Sequence, residues 1–358
     1  MDRISMLDLQ AQHAPLNDEL RAAAGRVLAS QRFILGPEVE AFEREVAALS
    51  GAAFAVGVSS GTDALLALLL AHGIGSGDEV VTTPYSFFAT AESIVRVGAT
   101  PVFADVDPST MNLDPALAAQ RIGRRTKAVV VVHLFGRPAR TDGLRQACSA
   151  AGIPLLEDSA QAVGVRVGTA ALSFFPSKNL GGFGDGGMVV TSDERLADRV
   201  RRLRSHGASR PHRHEIVGGN FRLDELQAAL LRVKRPHLAA WTAERRRWAA
   251  AYRERLAGLP IGLPPEDDEC VWNQFVIRVA PDRRAALIEH LEMRAISSAI
   301  YYPVPLHLQP ALAGLGHRSG DFPNAEGAAL DSLALPLFPG LGQTSVDRVA
   351  AALADFFG

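Results

Sequence analysis

The chain has 358 residues, a formal net charge of −2 and 47% hydrophobic residues. This length suggests two domains, and the composition excludes a wholly disordered chain. The nearly balanced charge gives no reason to expect binding to nucleic acid or to an anionic membrane. The longest apolar run, at 64–71, is shorter than the roughly 20 residues that a membrane span needs. With only two cysteines, and without a signal-peptide pattern at the N-terminus, we expect a soluble cytoplasmic protein.

Short apolar segments alternate with helical segments through the first two-thirds of the chain. The apolar segments are predicted to be strands, because nearly continuous apolar runs are typical of a parallel sheet that helices cover on both faces. They lie at 54–59, 79–83, 100–105, 127–133, 153–158, 171–175 and 187–191. Helices are predicted between them, at 62–72, 87–97 and 140–151. This alternation predicts an α/β domain.

The pattern changes after Leu223, where two long helices are predicted on either side of Pro236. The arginines of the second helix are predicted to form a solvated face. A linker rich in proline, glycine and acidic residues follows at 258–269, and beyond it a strand at 271–279 and helices at 281–293 and 344–357 predict a smaller α+β unit. We therefore predict a large domain at 1–257 and a small domain at 258–358.

Two segments of the large domain could bind a ligand. Residues 59–63, with the sequence SSGTD, open an apolar helix, and the free N–H groups of a helix N-terminus suit a phosphate. An ordinary Ser/Thr cap is the commoner explanation of such a pattern. Glu157 and Asp158 follow a buried strand, at the edge where α/β sheets bind ligands, although an acid there serves as a helix cap equally often.

Lys178 is one of only three lysines, with Lys127 and Lys234, and lies in a turn between an apolar strand and a glycine-dense loop. A lysine in such a turn is a candidate for a lowered pKa and for Schiff-base chemistry. The loop matches G-x-G-x-x-G, but a strand follows it instead of a helix, which excludes a dinucleotide site.

A loop at 206–215 contains three histidines and Glu215 among several arginines. The arginines would repel a cation, and the spacing matches no zinc site. We therefore expect no metal there but a solvated basic loop, which could also receive an anionic substrate.

Phrases along nearly the whole chain, in this order, resemble those of the pyridoxal-phosphate-dependent sugar aminotransferases of the DegT/StrS group. They include FILGPEVEAFE, VGVSSGTDAL, GATPVFADVDPSTMNLD, EDSAQA, SFFPSKNLGGFGDGG, GGNFRLDELQAALLRVK and YYPVPLHLQ. The resemblance implies an enzyme of fold type I, with a mostly parallel seven-stranded sheet between helices and a smaller C-terminal domain. It also implies transfer of an amino group from an amino acid, with L-glutamate as the expected donor, to a keto-sugar nucleotide in amino-sugar biosynthesis, with a preference for a 3-keto sugar on UDP or dTDP. The cofactor would alternate between pyridoxal 5′-phosphate and pyridoxamine 5′-phosphate.

The resemblance implies roles for individual residues around the cofactor. Lys178 would bind it covalently and transfer the proton, and Asp158 would pair with its ring nitrogen. Gln161 would lie near its 3′-oxygen, and Phe87 would stack on its ring. Its phosphate would bind to three residues that belong to two segments: Gly61, Thr62 and Ser173.

Further residues would serve the partner subunit and the substrate. Asn220 resembles the residue that reaches the phosphate of the neighbouring subunit, which implies a homodimer with shared active sites. The segments that meet the nucleotide sugar contain Arg222, Tyr301, Tyr302 and His307.

The chain departs from the family pattern between Gln161 and Ser173, where only eleven residues occur and Val163 replaces the usual histidine. We therefore expect this short 162–172 segment to alter the local sheet edge and any substrate contact made there. A related sugar dehydratase, which uses free pyridoxamine phosphate, carries histidine at the lysine position, so Lys178 argues against it. A cofactor-binding regulator without turnover remains an alternative.

Overall fold

The computed structural model describes residues 2–358, and in that range it contains eleven strands. Seven of them form one sheet: β1 (Phe54–Val58), β2 (Glu79–Thr82), β3 (Thr100–Phe103), β4 (Thr126–Val132), β5 (Leu155–Asp158), β6 (Thr169–Ser173) and β7 (Gly187–Thr191). The other four form two small antiparallel pairs: β8 (Ala208–Arg210) with β9 (Arg213–His214), and β10 (Phe275–Arg278) with β11 (Ser332–Leu335).

Thirteen α-helices occur in the same range. They are α1 (Leu9–His13), α2 (Asn17–Ser30), α3 (Pro37–Ser50), α4 (Gly61–Ala71), α5 (Ala89–Arg96), α6 (Pro115–Gln120), α7 (Asp142–Ala151), α8 (Glu194–Leu203), α9 (Glu225–Lys234), α10 (Leu238–Arg255), α11 (Pro281–Met293), α12 (Pro323–Asp331) and α13 (Gln343–Phe357). None of these helices is both long and apolar enough to cross a membrane.

The large sheet has the strand order β1-β7-β6-β5-β4-β2-β3. The pairs from β6 to β3 are parallel, and β7 runs antiparallel to both of its neighbours. This confirms the predicted mostly parallel sheet. The predicted strand at 171–175 lies two residues earlier, because Ser173 ends β6 and the Phe174 N–H donates to the Gly186 carbonyl as the chain turns.

Helices cover both faces of this sheet. The apolar side chains of α4 and α8 pack on one face, and those of α3 and α9 pack on the other face around Phe42 and Phe174. Helix α4 is buried almost all round, which explains its unbroken apolar sequence. This packing fixes the N-terminus of α4 against the ends of β6 and β7.

The short 162–172 segment leaves the sheet intact. Strand β6 pairs with β5 on one side and β7 on the other, so it is an internal strand. Val163 is buried in the core formed with α3, and the Gly168 N–H donates to Glu157 Oε1 at 3.0 Å. Beside this segment lies an open cleft of about 780 Å³.

A second core contains β10, β11, α11 and α13. It also contains Trp248 and Tyr252 from α10, Leu256 directly after that helix, and Ile4 from the N-terminal segment. This core therefore draws on residues from both sides of position 258, and the proposed division into domains at that position stays a prediction.

Candidate active site

Strand β5 ends in two carboxylates, and the second of them is buried without a cation of residues 2–358 in hydrogen-bond contact. Asp158 is 5% exposed, and its Oδ2 accepts from Thr90 Oγ1 at 2.8 Å while Oδ1 accepts from the Ala160 N–H at 3.2 Å. Burial raises the pKa of Asp158, and these hydrogen bonds offset only part of that effect. A buried carboxylate with neutral donors only is suited to bind a positively charged N–H group.

Lys178 lies in the turn between the antiparallel strands β6 and β7. Two backbone hydrogen bonds close the turn, from the Lys178 N–H to the Phe175 carbonyl and from the Gly182 N–H to the Phe174 carbonyl. Burial lowers the pKa of the Lys178 amine to about 8, although the Asp158 carboxylate favours the charged form. The amine makes no hydrogen bond or ion pair with any other residue in 2–358, so it is available to react.

The N-terminus of α4 faces the ends of β6 and β7. Ser60 caps the helix by accepting from the Asp63 N–H at 3.0 Å, which leaves the first amides, of Gly61 and Thr62, without partners inside the helix. A Cβ atom on Gly61 would lie 2.7 Å from Ser173 Cβ, and one on Gly187 would lie 2.2 Å from the Ser60 carbonyl oxygen. Only glycine fits at both positions, so backbone N–H groups and the Ser173 hydroxyl lie together at a helix N-terminus, where an anion binds favourably.

Gln161 connects this region to the C-terminal part of the chain. Its side chain is buried, with Oε1 accepting from the Phe135 N–H at 2.5 Å and Nε2 donating to Tyr302 Oη at 2.9 Å. The Tyr302 ring lies 6.2 Å from the ring of Phe87, which is 58% exposed. An exposed aromatic face, that of Phe87, and an oriented amide, that of Gln161, therefore both lie close to Tyr302.

These groups fit pyridoxal 5′-phosphate. Lys178 offers a reactive amine, Asp158 a buried acceptor for a protonated ring nitrogen, and Phe87 an exposed aromatic face. The helix N-terminus at Gly61, with Ser173 against it, has the donors that a phosphate needs.

The remaining predicted residues have different environments. Asn220 is exposed, and its side chain makes no hydrogen bond within residues 2–358. Arg222 is half-buried, with Nε lacking a partner, and Tyr301 is half-buried with its carbonyl 2.7 Å from Tyr85 Oη. His307 is buried, with Nε2 at 3.1 Å from Glu326 Oε1 and its ring 4.7 Å from that of Phe322.

Sequence reasoning did not identify Thr90, which binds the Asp158 carboxylate, or Tyr85, whose hydroxyl accepts from the Tyr302 N–H at 2.8 Å. Both lie in the segment 85–90, beside Phe87, but no spacing in the sequence indicates their distant partners. The sequence also predicts a solvated row of arginines on α10, whereas Arg245 of that helix is only 2% exposed.

Comparison with known proteins shows which family and which enzymes this chain resembles. Residues 15–354 match the DegT/DnrJ/EryC1/StrS aminotransferase family. The chain is 44% identical over 366 residues to the dTDP-3-amino-3,4,6-trideoxy-alpha-D-glucose transaminase of Streptomyces venezuelae, covering 99% of this chain and 96% of the relative. It is 44% identical over 362 residues to the UDP-N-acetyl-3-dehydro-alpha-D-glucosamine 3-aminotransferase of Acidithiobacillus ferrooxidans, covering 98% and 97%.

Among solved structures, the fold matches that of S. venezuelae DesV with a TM-score of 0.97 and 44% sequence identity, over 99% of each chain. This similarity confirms the predicted fold type I. The chain therefore belongs to the DegT/DnrJ/EryC1/StrS aminotransferase family, whose members use pyridoxal 5′-phosphate as cofactor.

Proposed function

We propose that the protein transfers the amino group of L-glutamate to the keto group of a nucleotide-linked sugar, and that this sugar is a 3-keto sugar on UDP or dTDP. The observation that carries the proposal is a buried amine without a hydrogen bond in residues 2–358, Lys178, close enough to the buried carboxylate of Asp158 for their charges to interact, at one end of the sheet. The names of the two relatives, each a 3-amino-sugar transaminase, support the choice of acceptor. The pathway would then be one of amino-sugar biosynthesis.

Pyridoxal phosphate, when bound, supplies a carbonyl group that takes up amino groups and a ring that withdraws electrons from the carbon being deprotonated. The residues of this chain bind and orient it. The Gly61 and Thr62 amides and the Ser173 hydroxyl would hold the phosphate, and Gln161 Nε2 would lie near the ring oxygen. Phe87 would cover one face of the ring.

Two side chains would handle protons. With a pKa of about 8, Lys178 is partly neutral near pH 7–8 and can take a proton from carbon and return it. Asp158 would accept a hydrogen bond from the ring nitrogen and keep that nitrogen protonated, since a buried carboxylate is stabilised by a positive partner.

We propose that Arg222, Tyr301 and Tyr302 contact the nucleotide sugar. Arg222 carries a buried Nε without a partner, which a phosphate oxygen could satisfy. His307 is buried, so we propose that it supports this surface through Glu326.

The proposed assembly is a homodimer in which Asn220 contributes to the phosphate site of the partner. An exposed Asn220 without side-chain hydrogen bonds is available for such a contact. Exposed apolar side chains that a partner could cover support the proposal: Phe33, Ile34, Phe175 and Phe183. Two free buried cysteines, Cys148 and Cys270, accord with a reducing compartment, and we propose the cytoplasm.

The test is an assay of keto-sugar nucleotides with L-glutamate, read by mass spectrometry. We expect one acceptor to gain the mass of an amine in place of its keto oxygen, and the Lys178→Ala variant to give no product. If the holoenzyme aminates none of the UDP- and dTDP-linked 3-keto sugars, the proposed acceptor is wrong.

A further inference from the structure

A small cavity of about 60 Å³ lies beside the turn that carries Lys178. Its lining includes Ser177, which precedes Lys178, and Tyr301, which precedes Tyr302. Arg245 of α10 and the adjacent pair Asn273 and Gln274 complete its polar lining. The cavity thus lies between the residue that precedes the proposed reactive lysine and the C-terminal segment of the site.

Arg245 is a buried cation that forms no ion pair with a carboxylate of residues 2–358. Residues 2–358 contain three buried arginines, and two of them form close ion pairs: Arg137 with Asp267 at 2.7 Å and Arg204 with Glu43 at 2.5 Å. Arg245 is the most buried of the three, yet its Nη1 donates only to backbone carbonyls, of Trp272, Asn273 and Leu337. Its Nε is buried without a partner, and burial lowers its pKa to about 10. A buried guanidinium in this state is strongly stabilised by an anion.

Two amide side chains in the same cavity also lack partners. Asn273 Oδ1 and Gln274 Oε1 are both buried without a hydrogen bond. Since an amide carries both donors and an acceptor, each of these side chains can bind a carboxylate through its NH₂ or an amine through its oxygen. Three residues that line one cavity thus each carry an unsatisfied buried polar atom, which is more than a folded core normally retains in one place.

We propose that this cavity binds the amino-acid donor, with a carboxylate on Arg245 and with Asn273 and Gln274 as hydrogen-bond partners of the carboxylate or the amine. The inference rests on the proposed amino transfer and adds the place where the donor is recognised. The cavity volume is enough for several water molecules, which suits a carboxylate head group. A nucleoside diphosphate is far larger than this cavity.

The first test measures binding of glutarate, a dicarboxylate that has no amine and therefore cannot react, to the holoenzyme by calorimetry. Arg245→Lys keeps the charge but loses the planar fork, so we expect glutarate affinity to fall about tenfold or more. The matched control is Arg246→Lys, because Arg246 is the next residue of α10 and donates to the Cys270 carbonyl outside the cavity. We expect the control to bind glutarate like the wild type.

The second test separates the two half-reactions. We expect Arg245→Lys to raise the apparent dissociation constant for L-glutamate about tenfold or more, while the reaction of the amino form with the sugar nucleotide keeps its KM. Equal losses in both half-reactions, or unchanged glutarate binding, would overturn the inference. If Arg245→Lys does not fold, Gln274→Met decides in its place, with weaker glutarate binding expected and unchanged binding counting against the site. Failure of the proposed function is distinguishable, because then the wild type itself would aminate no keto-sugar nucleotide.

Discussion

Glu157 and Asp158 are consecutive residues of β5, yet their carboxylates lie on opposite faces of the sheet. Glu157 Oε2 is 2.9 Å from His133 Nε2, whereas Asp158 Oδ2 accepts from Thr90 Oγ1. Burial opposes the charge of Glu157, but its hydrogen bonds to His133 and Gly168 and the charge of Arg145 lower its pKa below the usual value. The same burial raises the pKa of Asp158. One strand therefore carries an acid that is paired with His133 and Arg145 beside an acid whose only hydrogen-bond donors within residues 2–358 are neutral.

Asp158→Asn keeps the shape of the side chain but removes its charge. We expect the variant to retain pyridoxal phosphate, through Lys178 and the phosphate site, and to react with L-glutamate slower by orders of magnitude, since each 1.4 kcal/mol or so of lost transition-state stabilisation costs tenfold. Stopped-flow absorbance measures this half-reaction. The control is Glu157→Gln, for which we expect nearly normal kinetics and a lower unfolding temperature. Near wild-type kinetics for Asp158→Asn would mean that the wrong carboxylate has been assigned.

Borohydride reduction of the holoenzyme should attach the cofactor to Lys178. The other two lysines are unsuitable, because Lys127 is exposed on β4 and Lys234 is buried and hydrogen-bonded. With its pKa near 8, Lys178 also has a substantial neutral fraction at pH 7.5. Peptide mapping by mass spectrometry identifies the modified residue, and a label on either other lysine would refute this assignment.

Gly61→Ala tests the phosphate site. The added Cβ would lie 2.7 Å from Ser173 Cβ, and relieving that overlap costs about 1–3 kcal/mol, so we expect affinity for pyridoxal phosphate to fall about tenfold or more. Gly75→Ala serves as the control, because its Cβ would meet nothing closer than the Val97 carbonyl oxygen at 3.6 Å. Fluorescence titration of the apoprotein gives both affinities. Equal affinities would place the phosphate elsewhere.

The sequence indicates the parts of this site that depend on local patterns. Unbroken apolar runs predict the seven strands, and the lysine turn and the SSGTD helix start are recognisable because their residues are neighbours in the chain. Contacts between distant segments leave no such pattern. Thr90 reaches Asp158 across 68 positions, and Tyr85 reaches Tyr302 across 217.

Arg245 of α10 is a second case in which the sequence does not indicate a contact between distant segments. The arginine-rich pattern of α10 predicts a solvated face, because arginine is usually exposed. In the fold, the loop at 272–273 and the segment at Leu337 cover Arg245 and supply its carbonyl acceptors. Only the tertiary packing of two segments far along the chain determines that this one arginine is buried.

Mixing two inactive variants tests the shared active site. Lys178→Ala lacks the amine, and Asn220→Ala lacks the group proposed to reach the phosphate of the partner. After subunit exchange, a hybrid dimer has one site with both residues intact, so we expect activity to recover to about a quarter of the wild-type value in an equal mixture. Native mass spectrometry confirms the exchange. Exchange without recovery would contradict a site shared between subunits.

Lys234 provides a pH-dependent test of a buried charge next to the glycine-rich loop. Lys234 is 1% exposed, and its ammonium hydrogen-bonds to the Gly181 carbonyl and to His13 Nε2, with no carboxylate partner among residues 2–358. Burial lowers its pKa from 10.5 to about 8 and that of His13 from 6.5 to about 4. At pH 7 these two pKa values predict a charged Lys234 and a neutral His13, so His13 Nε2 can accept the hydrogen bond from the ammonium.

Lys234→Met should therefore change how the unfolding free energy depends on pH. Below about pH 8 the wild type is protonated at Lys234 in both states and bears the whole cost of burying the charge. Between about pH 8 and 10.5 only the unfolded state keeps the proton, so wild-type stability should rise with pH, by up to about 3 kcal/mol relative to the variant. Urea unfolding of both proteins across this range measures the difference. Lys127→Met, at an exposed position, should show no such trend. A constant difference between Lys234→Met and the wild type would mean that Lys234 keeps its ordinary pKa in the folded protein.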